Sequence, residues 1–112
     1  MRRKIENRLL ELGIKPNLKG FSYICDSVEM ITDDTVPKHK MMYLYEVVAK
    51  KNNKTSTSVE RAIRHAITKV DLGNWNERYV HSTRSNLINA EFLYTLALRI
   101  KQEDLRWSIE LH

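Results

Sequence analysis

The stretch that most constrains the fold is residues 57–70, in which apolar and polar side chains separate at helical spacing. At 100° per residue, one side of a helix over this stretch is apolar and the opposite side is polar. The apolar side would hold Val59, Ile63, Ala66, Ile67 and Val70. The polar side would hold Thr57, Arg61, Arg64, His65 and Thr68. The spacing therefore predicts a helix that packs one face on a core and turns the other outward.

Few residues in the chain break helices, because its 112 residues include only three glycines and two prolines. Leucine, isoleucine, lysine, glutamate and arginine, which favour helices, are frequent. A chain of this length can bury one modest core but not two. We therefore predict an all-α fold, a single domain over residues 1–112 with six helices and short connections.

Apolar spacing and capping residues divide the chain into six predicted helices. The first runs from Arg2 to Leu12 and stops at Gly13, the second starts at Asn17 or Gly20 and runs to about Ile31, and the third runs from Pro37 to about Ala49. The fourth runs from Thr57 to Val70, and Leu72 and Gly73 end it. A short fifth helix lies around 74–80, and the sixth runs from Asn89 to about Arg106 or Trp107. Asn89 is expected to be the N-cap of the last helix. Trp75 and Tyr79, four residues apart, are expected to fix the short helix to the core.

The polar side of the 57–70 helix carries two arginines, and Glu60 is the only acid in its first three turns, so we expect these arginines to be unpaired. Arg61 and Arg64 are three residues apart, so each can present its planar guanidinium to guanine O6 and N7 in a major groove. The alternative is a basic face that serves only solubility.

Glu60 has two competing interpretations. In the sequence Thr57-x-x-Glu60 it completes a capping box, in which its carboxylate reaches back to the Thr57 amide. Because it also lies in the first turn of the helix, it could instead accept a hydrogen bond from cytosine N4.

The net charge of +5 is concentrated in one third of the chain. Residues 38–70 hold eight lysine and arginine residues and two acidic ones, a local charge of +6, whereas the remaining residues hold eleven and twelve. A basic excess around one amphipathic helix is typical of proteins that bind a polyanion.

Nothing in the sequence indicates an enzyme or a cofactor site. It lacks a nucleophile elbow, a phosphate-binding glycine loop and a plausible acid and base pair, and its histidines (His39, His65, His81 and His112) are scattered. The single cysteine, Cys25, is predicted to be a small core residue. With no signal pattern or membrane-spanning run, we expect a cytoplasmic protein that does not bind a membrane.

The chain resembles the C-terminal DNA-binding domain of the stage-zero sporulation response regulator. The run from Val59 to Ile67, VERAIRHAI, is close to the recognition-helix signature of that family. Other shared elements follow in the same order along nearly the whole chain. These are Gly13-Ile14, Leu18-Lys19-Gly20-Phe21 with Tyr23, Ala49-Lys50-Lys51, and Asn89 with Glu91-Phe92.

The resemblance implies a helix-turn-helix over about residues 38–72, whose second helix enters the major groove of TGTCGAA-like boxes. It also implies that the bases are read by Glu60, Arg61, Arg64 and His65. Members of the family bind tandem boxes in pairs through the last helix, so a homodimer on DNA is expected. Contact with RNA polymerase is expected as well.

Two departures from the family bear on these expectations. Ser58 stands where the family commonly has a basic residue, which removes one potential DNA contact. The family usually carries a receiver domain upstream, and the chain from Met1 includes none. It is therefore either an isolated effector domain or a free-standing relative.

Residues around the turn and helix start are predicted to anchor DNA phosphates, where free amides and the helix dipole favour anions. They are Lys50, Lys51, Lys54, Thr55, Thr57, Ser58, Thr68 and, from the loop before the last helix, Arg84. The alternative function is a helical interaction module whose basic helix docks on an acidic protein. Such a module would show no preference among DNA duplexes.

Overall fold

The structure, a computed structural model, describes residues 1–37, 40–79 and 87–111, with side chains as far as Leu105. These residues form six α-helices and no strand. The helices are α1 (Arg2–Glu11), α2 (Lys19–Thr32), α3 (Met41–Lys51), α4 (Ser56–Ile67), α5 (Leu72–Arg78) and α6 (Asn89–Leu111). The prediction of an all-α fold with six helices is confirmed.

Helix α2 lies at the centre of the fold and packs against α1, α3, α4 and α6. Its apolar residues Ile24 and Val28 have no exposed surface, and the predicted apolar side of α4 is buried against it. Burying a whole isoleucine or valine side chain contributes about 1.5–3 kcal/mol, so this packing fixes the orientation of α4. The opposite side of α4 must then face outward.

Gly20 allows α2 to begin directly against α4. A Cβ atom at this position would lie 2.2 Å from the carbonyl oxygen of Ala62 and 2.8 Å from the Cβ of Ala66. Only a residue without a side chain permits this approach, because carbon and oxygen atoms in contact normally lie more than 3 Å apart. Gly20 therefore sets the distance between the central helix and α4.

Gly13 ends α1 as the sequence predicts. Its φ of +95° is in the left-handed region, and the next amide, of Ile14, donates to the carbonyl of Leu9 at 3.0 Å. These are the features of a Schellman motif, in which a glycine after the helix lets the chain turn back on the last turn. The buried side chains of Ile14 and Leu9 complete it.

Several predicted helix boundaries are wrong. α3 begins at Met41 rather than at Pro37, and α4 ends at Ile67 rather than at Val70. After Ile67 the chain tightens into i,i+3 hydrogen bonds and leaves toward α1, where the Asp71 amide donates to the carbonyl of Leu12 at 2.9 Å. Leu72 and Gly73 start α5 instead of ending α4, because the Asp71 carboxylate accepts the Asn74 amide as an N-cap at 3.2 Å.

The predicted anchoring of the short helix by its aromatic pair is confirmed. Trp75 is 1% exposed, its ring stacks on that of Tyr79 with centroids 4.6 Å apart, and Phe92 of α6 stacks on it at 5.0 Å. These aromatic residues are therefore part of the core. Among the described residues, no helix combines the length and apolar character that a membrane span requires.

Cys25 is completely buried, and burial raises the pKa of its thiol to about 12. At pH 8 the thiolate, which is the reactive form, is then almost absent in the folded domain. We expect alkylation by iodoacetamide at pH 8 to be at least about a hundredfold slower in native buffer than in denaturant, since it requires local unfolding. Mass spectrometry of timed samples measures both rates, and similar rates would contradict the burial of this thiol.

Candidate nucleic-acid interface

A short connection, residues 52–55, joins α3 to α4 and is shaped by a second Schellman motif. Asn53 has a φ of +55°, and the Lys54 amide donates to the carbonyl of Ala49 at 2.8 Å. Asparagine tolerates the left-handed region better than most residues, so it can serve where glycine usually does. The motif turns the chain sharply and places the start of α4 beside the end of α3.

Thr55 caps α4, since its side-chain oxygen accepts the Ser58 amide at 3.1 Å. The predicted capping box at Thr57 and Glu60 is therefore wrong. Several hydroxyl residues in a row can serve as N-cap, and the Schellman motif that ends at Lys54 makes Thr55 the first residue placed to do so. Glu60 is consequently free of the cap.

The outward side of α4 forms a continuous polar surface, which we term the reading face. Its residues are Thr57, Arg61, Arg64, His65 and Thr68, and all five are exposed. Val59, Ile63, Ala66 and Ile67 on the opposite side are buried, so the predicted division of the helix into two faces is confirmed. Arg61 forms no ion pair with another described residue and is available to a ligand.

Arg64 is not unpaired, contrary to expectation. One of its guanidinium nitrogens lies 3.1 Å from a carboxylate oxygen of Glu60, one helical turn earlier. Because 62% of the Arg64 side chain and 31% of the Glu60 side chain are exposed, water screens the pair. An exposed i,i+4 pair of this kind contributes only about 0.3–0.5 kcal/mol, far less than a base contact supplies. The ion pair therefore orients Arg64 without preventing it from binding a ligand.

The predicted phosphate-binding lysines differ in what they contact. Lys50 and Lys54 are exposed and form no ion pair with another described residue. Lys51 is also exposed, but its ammonium lies 3.2 Å from the carboxylate of Asp26 in α2. No local pattern indicates this pair, because the two residues are 25 positions apart.

The hydroxyl groups near α4 also differ. Ser58 donates to the carbonyl of Thr55 at 2.9 Å, and Thr68 donates to that of His65 at 2.5 Å, so both protons are already used. Thr55 accepts rather than donates in its cap, which leaves its proton available. Thr57 is exposed on the reading face. Arg84, the remaining predicted phosphate contact, lies outside the described residues.

Asn89 supports α4 from the start of α6, a role that sequence analysis missed. Its side-chain amide donates to the Tyr45 hydroxyl at 3.0 Å and to the carbonyl of Glu60 at 3.3 Å. The predicted N-cap role is wrong, because the helical bonding already begins with the Phe92 amide on the carbonyl of Ile88. Asn89 instead links α6 to α3 and α4, and so holds the first half of the reading face in place.

A comparison with known families identifies the chain. Residues 5–100 match the family described as the sporulation initiation factor Spo0A C terminal. The chain belongs to this family. The family is the DNA-binding effector domain of a sporulation regulator. The domain is therefore a DNA-binding domain of transcription regulation, in agreement with the resemblance drawn from the sequence and with the exposed basic face of α4.

Proposed function

We propose that this member of the Spo0A C-terminal family reads specific sequences in double-stranded DNA, with α3 and α4 as its helix-turn-helix. The observation that carries the proposal is the reading face, an exposed polar surface on a helix whose other side is buried. A B-DNA major groove is wide enough to admit an α-helix, and the second helix of such a pair enters it. The helix-turn-helix would span residues 41–67.

The base contacts in this proposal come from the second and third turns of α4. Arg61 and Arg64 each donate two hydrogen bonds to a guanine, and His65 contacts the neighbouring base edge. Glu60 accepts from cytosine N4 once Arg64 has moved onto its guanine, since their ion pair is weak. A TGTCGAA-like box offers both guanines and cytosines for these contacts.

Phosphate contacts would surround the reading face. The residues proposed for them are Lys50, Lys51, Lys54, Thr55, Thr57, Ser58, Thr68 and Arg84. The charged members supply most of the attraction, and Thr55 and Thr57 have hydroxyl protons to donate. Ser58 and Thr68 must first release the carbonyl groups to which they donate.

The salt dependence of binding should reveal the number of phosphates neutralised. If about five are neutralised, the logarithm of the association constant should fall with the logarithm of salt concentration at a slope of roughly −4 to −5. Fluorescence anisotropy with a labelled duplex at several salt concentrations measures the slope. A slope near zero would contradict an interface built on lysine and arginine.

Selection of duplexes from a random pool tests the proposal as a whole, followed by gel shifts with selected and scrambled sequences. The proposed function requires enrichment of a common box and a clear preference for it. The alternative, a module that docks on an acidic protein, predicts no enrichment. Equal binding to selected and scrambled duplexes would therefore reject sequence-specific reading.

Pairing of two copies on tandem boxes is proposed through the last helix. Leu98 and Leu105 of α6 are seven residues apart, and their side chains are 58% and 64% exposed. Residues at this spacing lie on the same side of a helix, where a second copy could cover them. A regulator bound in this way would contact RNA polymerase at the promoter, and it would act in the cytoplasm.

A further inference from the structure

A buried carboxylate ties the turn between α3 and α4 to the first two helices. The side chain of Asp26 in α2 is only 4% exposed. Its Oδ1 accepts from Arg2 of α1 at 2.5 Å and from Lys51 at 3.2 Å, and its Oδ2 accepts from Asn52 at 3.0 Å. Three donors from two other parts of the chain therefore meet on one buried acid.

These contacts keep the carboxylate charged. Burial alone would raise the pKa of Asp26, but the hydrogen bonds from Arg2, Asn52 and Lys51 outweigh burial and hold it below its usual range. Arg2 also pairs with Glu29 at 2.6 Å, so two cations and two acids balance one another. Both oxygens of this buried, charged group accept hydrogen bonds, and moving a partner away would leave buried charge unpaired, so the group is suited to fixing its partners.

Two of the three partners of Asp26 are the last residue of α3, Lys51, and the C-cap of that helix, Asn52. The Asn52 side-chain amide donates both to Asp26 and to the carbonyl of Val48 at 2.8 Å, so it crosses the final turn of α3. Lys51 is held at its ammonium group, while 64% of its side chain remains exposed. An ammonium has three protons, and Asp26 uses one of them, which leaves two for another acceptor.

We propose that Asp26 is a positioning residue for DNA binding, which holds Lys51 and Asn52 so that the turn presents the Lys51 ammonium to a backbone phosphate. This inference rests on the proposed function. Holding a long side chain near its bound position lowers the entropy lost when it binds, so Asp26 strengthens a phosphate contact without touching DNA. Because phosphates carry no sequence information, the effect is the same on every duplex.

A simple charge argument predicts the opposite result. Removing a negative charge beside a DNA-binding surface should strengthen binding, because it raises the positive potential. The Asp26→Asn variant therefore distinguishes the positioning role from a simple effect of charge. We expect it to weaken binding to selected and scrambled duplexes alike by about three- to tenfold, and to reduce the magnitude of the salt slope by about 0.9, the value of one phosphate contact.

Two further variants make the test specific. In a Lys51→Ala background, Asp26→Asn should have almost no additional effect on DNA affinity, because the effects of substituting two residues that act through one contact are not additive. Glu29→Gln is the matched control, because Glu29 shares Arg2 but has no contact with Lys51 or Asn52 among the described residues. It should leave DNA affinity unchanged. Circular dichroism checks that each variant is folded at the temperature of the binding measurement.

The possible results separate the inference from the proposed function. If the parent protein shows no preference for the selected duplex, the proposed function fails. If the parent is specific but the Asp26→Asn variant binds DNA as tightly as the parent or more tightly, the positioning role is wrong. It is also wrong if Asp26→Asn weakens binding as much in the Lys51→Ala background as in the parent. Should Asp26→Asn not fold, Asn52→Ala breaks the Oδ2 contact and leaves the carboxylate paired. A two- to fivefold loss on both duplexes is then expected, and no loss would overturn the inference.

Discussion

Replacement of Gly20 by alanine should destabilise the folded domain by about 3 kcal/mol, the upper part of the range for overpacked cores. The added methyl group would lie 2.2 Å from the oxygen and 2.8 Å from the carbon of the Ala62 carbonyl. These are backbone atoms within α4 and cannot rotate away, so α2 and α4 must separate. Since small domains are stable by only about 5–15 kcal/mol, urea denaturation will detect the loss as a lower midpoint.

Gly73→Ala is the matched control for this prediction. A Cβ atom at Gly73 meets only the Asp71 carboxylate, at 3.4 Å, which is an ordinary contact. Because Gly73 lies in the first turn of α5, alanine there should leave stability unchanged or raise it by up to about 1 kcal/mol. Equal urea midpoints for the Gly20 and Gly73 variants would contradict the close packing of α2 on α4.

Replacement of Arg61 or Arg64 by alanine should weaken binding to the selected box by about 1–3 kcal/mol, or roughly five- to 150-fold. Each variant would remove the bidentate guanine contact proposed for that arginine, so the preference for guanine at one position should also disappear. Binding to scrambled duplexes should change much less. Competition gel shifts with single-base variants of the box measure both effects for each arginine.

The two arginines provide different information, because only Arg64 has a protein partner. Its removal leaves the Glu60 carboxylate unpaired near DNA, so part of its loss should be recovered in an Arg64→Ala, Glu60→Gln double variant. Lys50→Ala is the control for both arginines, since it should weaken binding to all duplexes alike. If Arg64→Ala binds the box as tightly as the parent, Arg64 is not a base reader.

Sequence periodicity predicted the helices well and their ends less well. The division of α4 into a buried and an exposed side follows from apolar spacing alone, and the stop at Gly13 follows from glycine chemistry. The N-cap of α4 was misplaced by two residues, at Thr57 instead of Thr55, because Thr55, Ser56, Thr57 and Ser58 are all able to cap. The left-handed conformation of Asn53, which determines where α3 ends, decided among them.

In the candidate site too, features that depend on residues close in sequence were predictable, whereas contacts between distant residues were not. The exposure of Arg61 and His65 was predictable, since it depends on residues within two helical turns. The ion pair between Glu60 and Arg64 also has a local signal, the i,i+4 spacing, which the sequence analysis overlooked. The link from Asn89 to α4 has none, because it joins residues 29 positions apart.

By itself, the sequence determined that this protein is helical, that α4 has one basic outward face, and which family it resembles. Each of these depends on the order of residues over a few helical turns. Only the tertiary structure decided that Asp26 would bind Lys51 and Asn52, and that Gly20 would bring α2 against α4. Such contacts depend on how helices pack in space, and side-chain periodicity specifies which face of a helix is buried but not which distant residue lies against it.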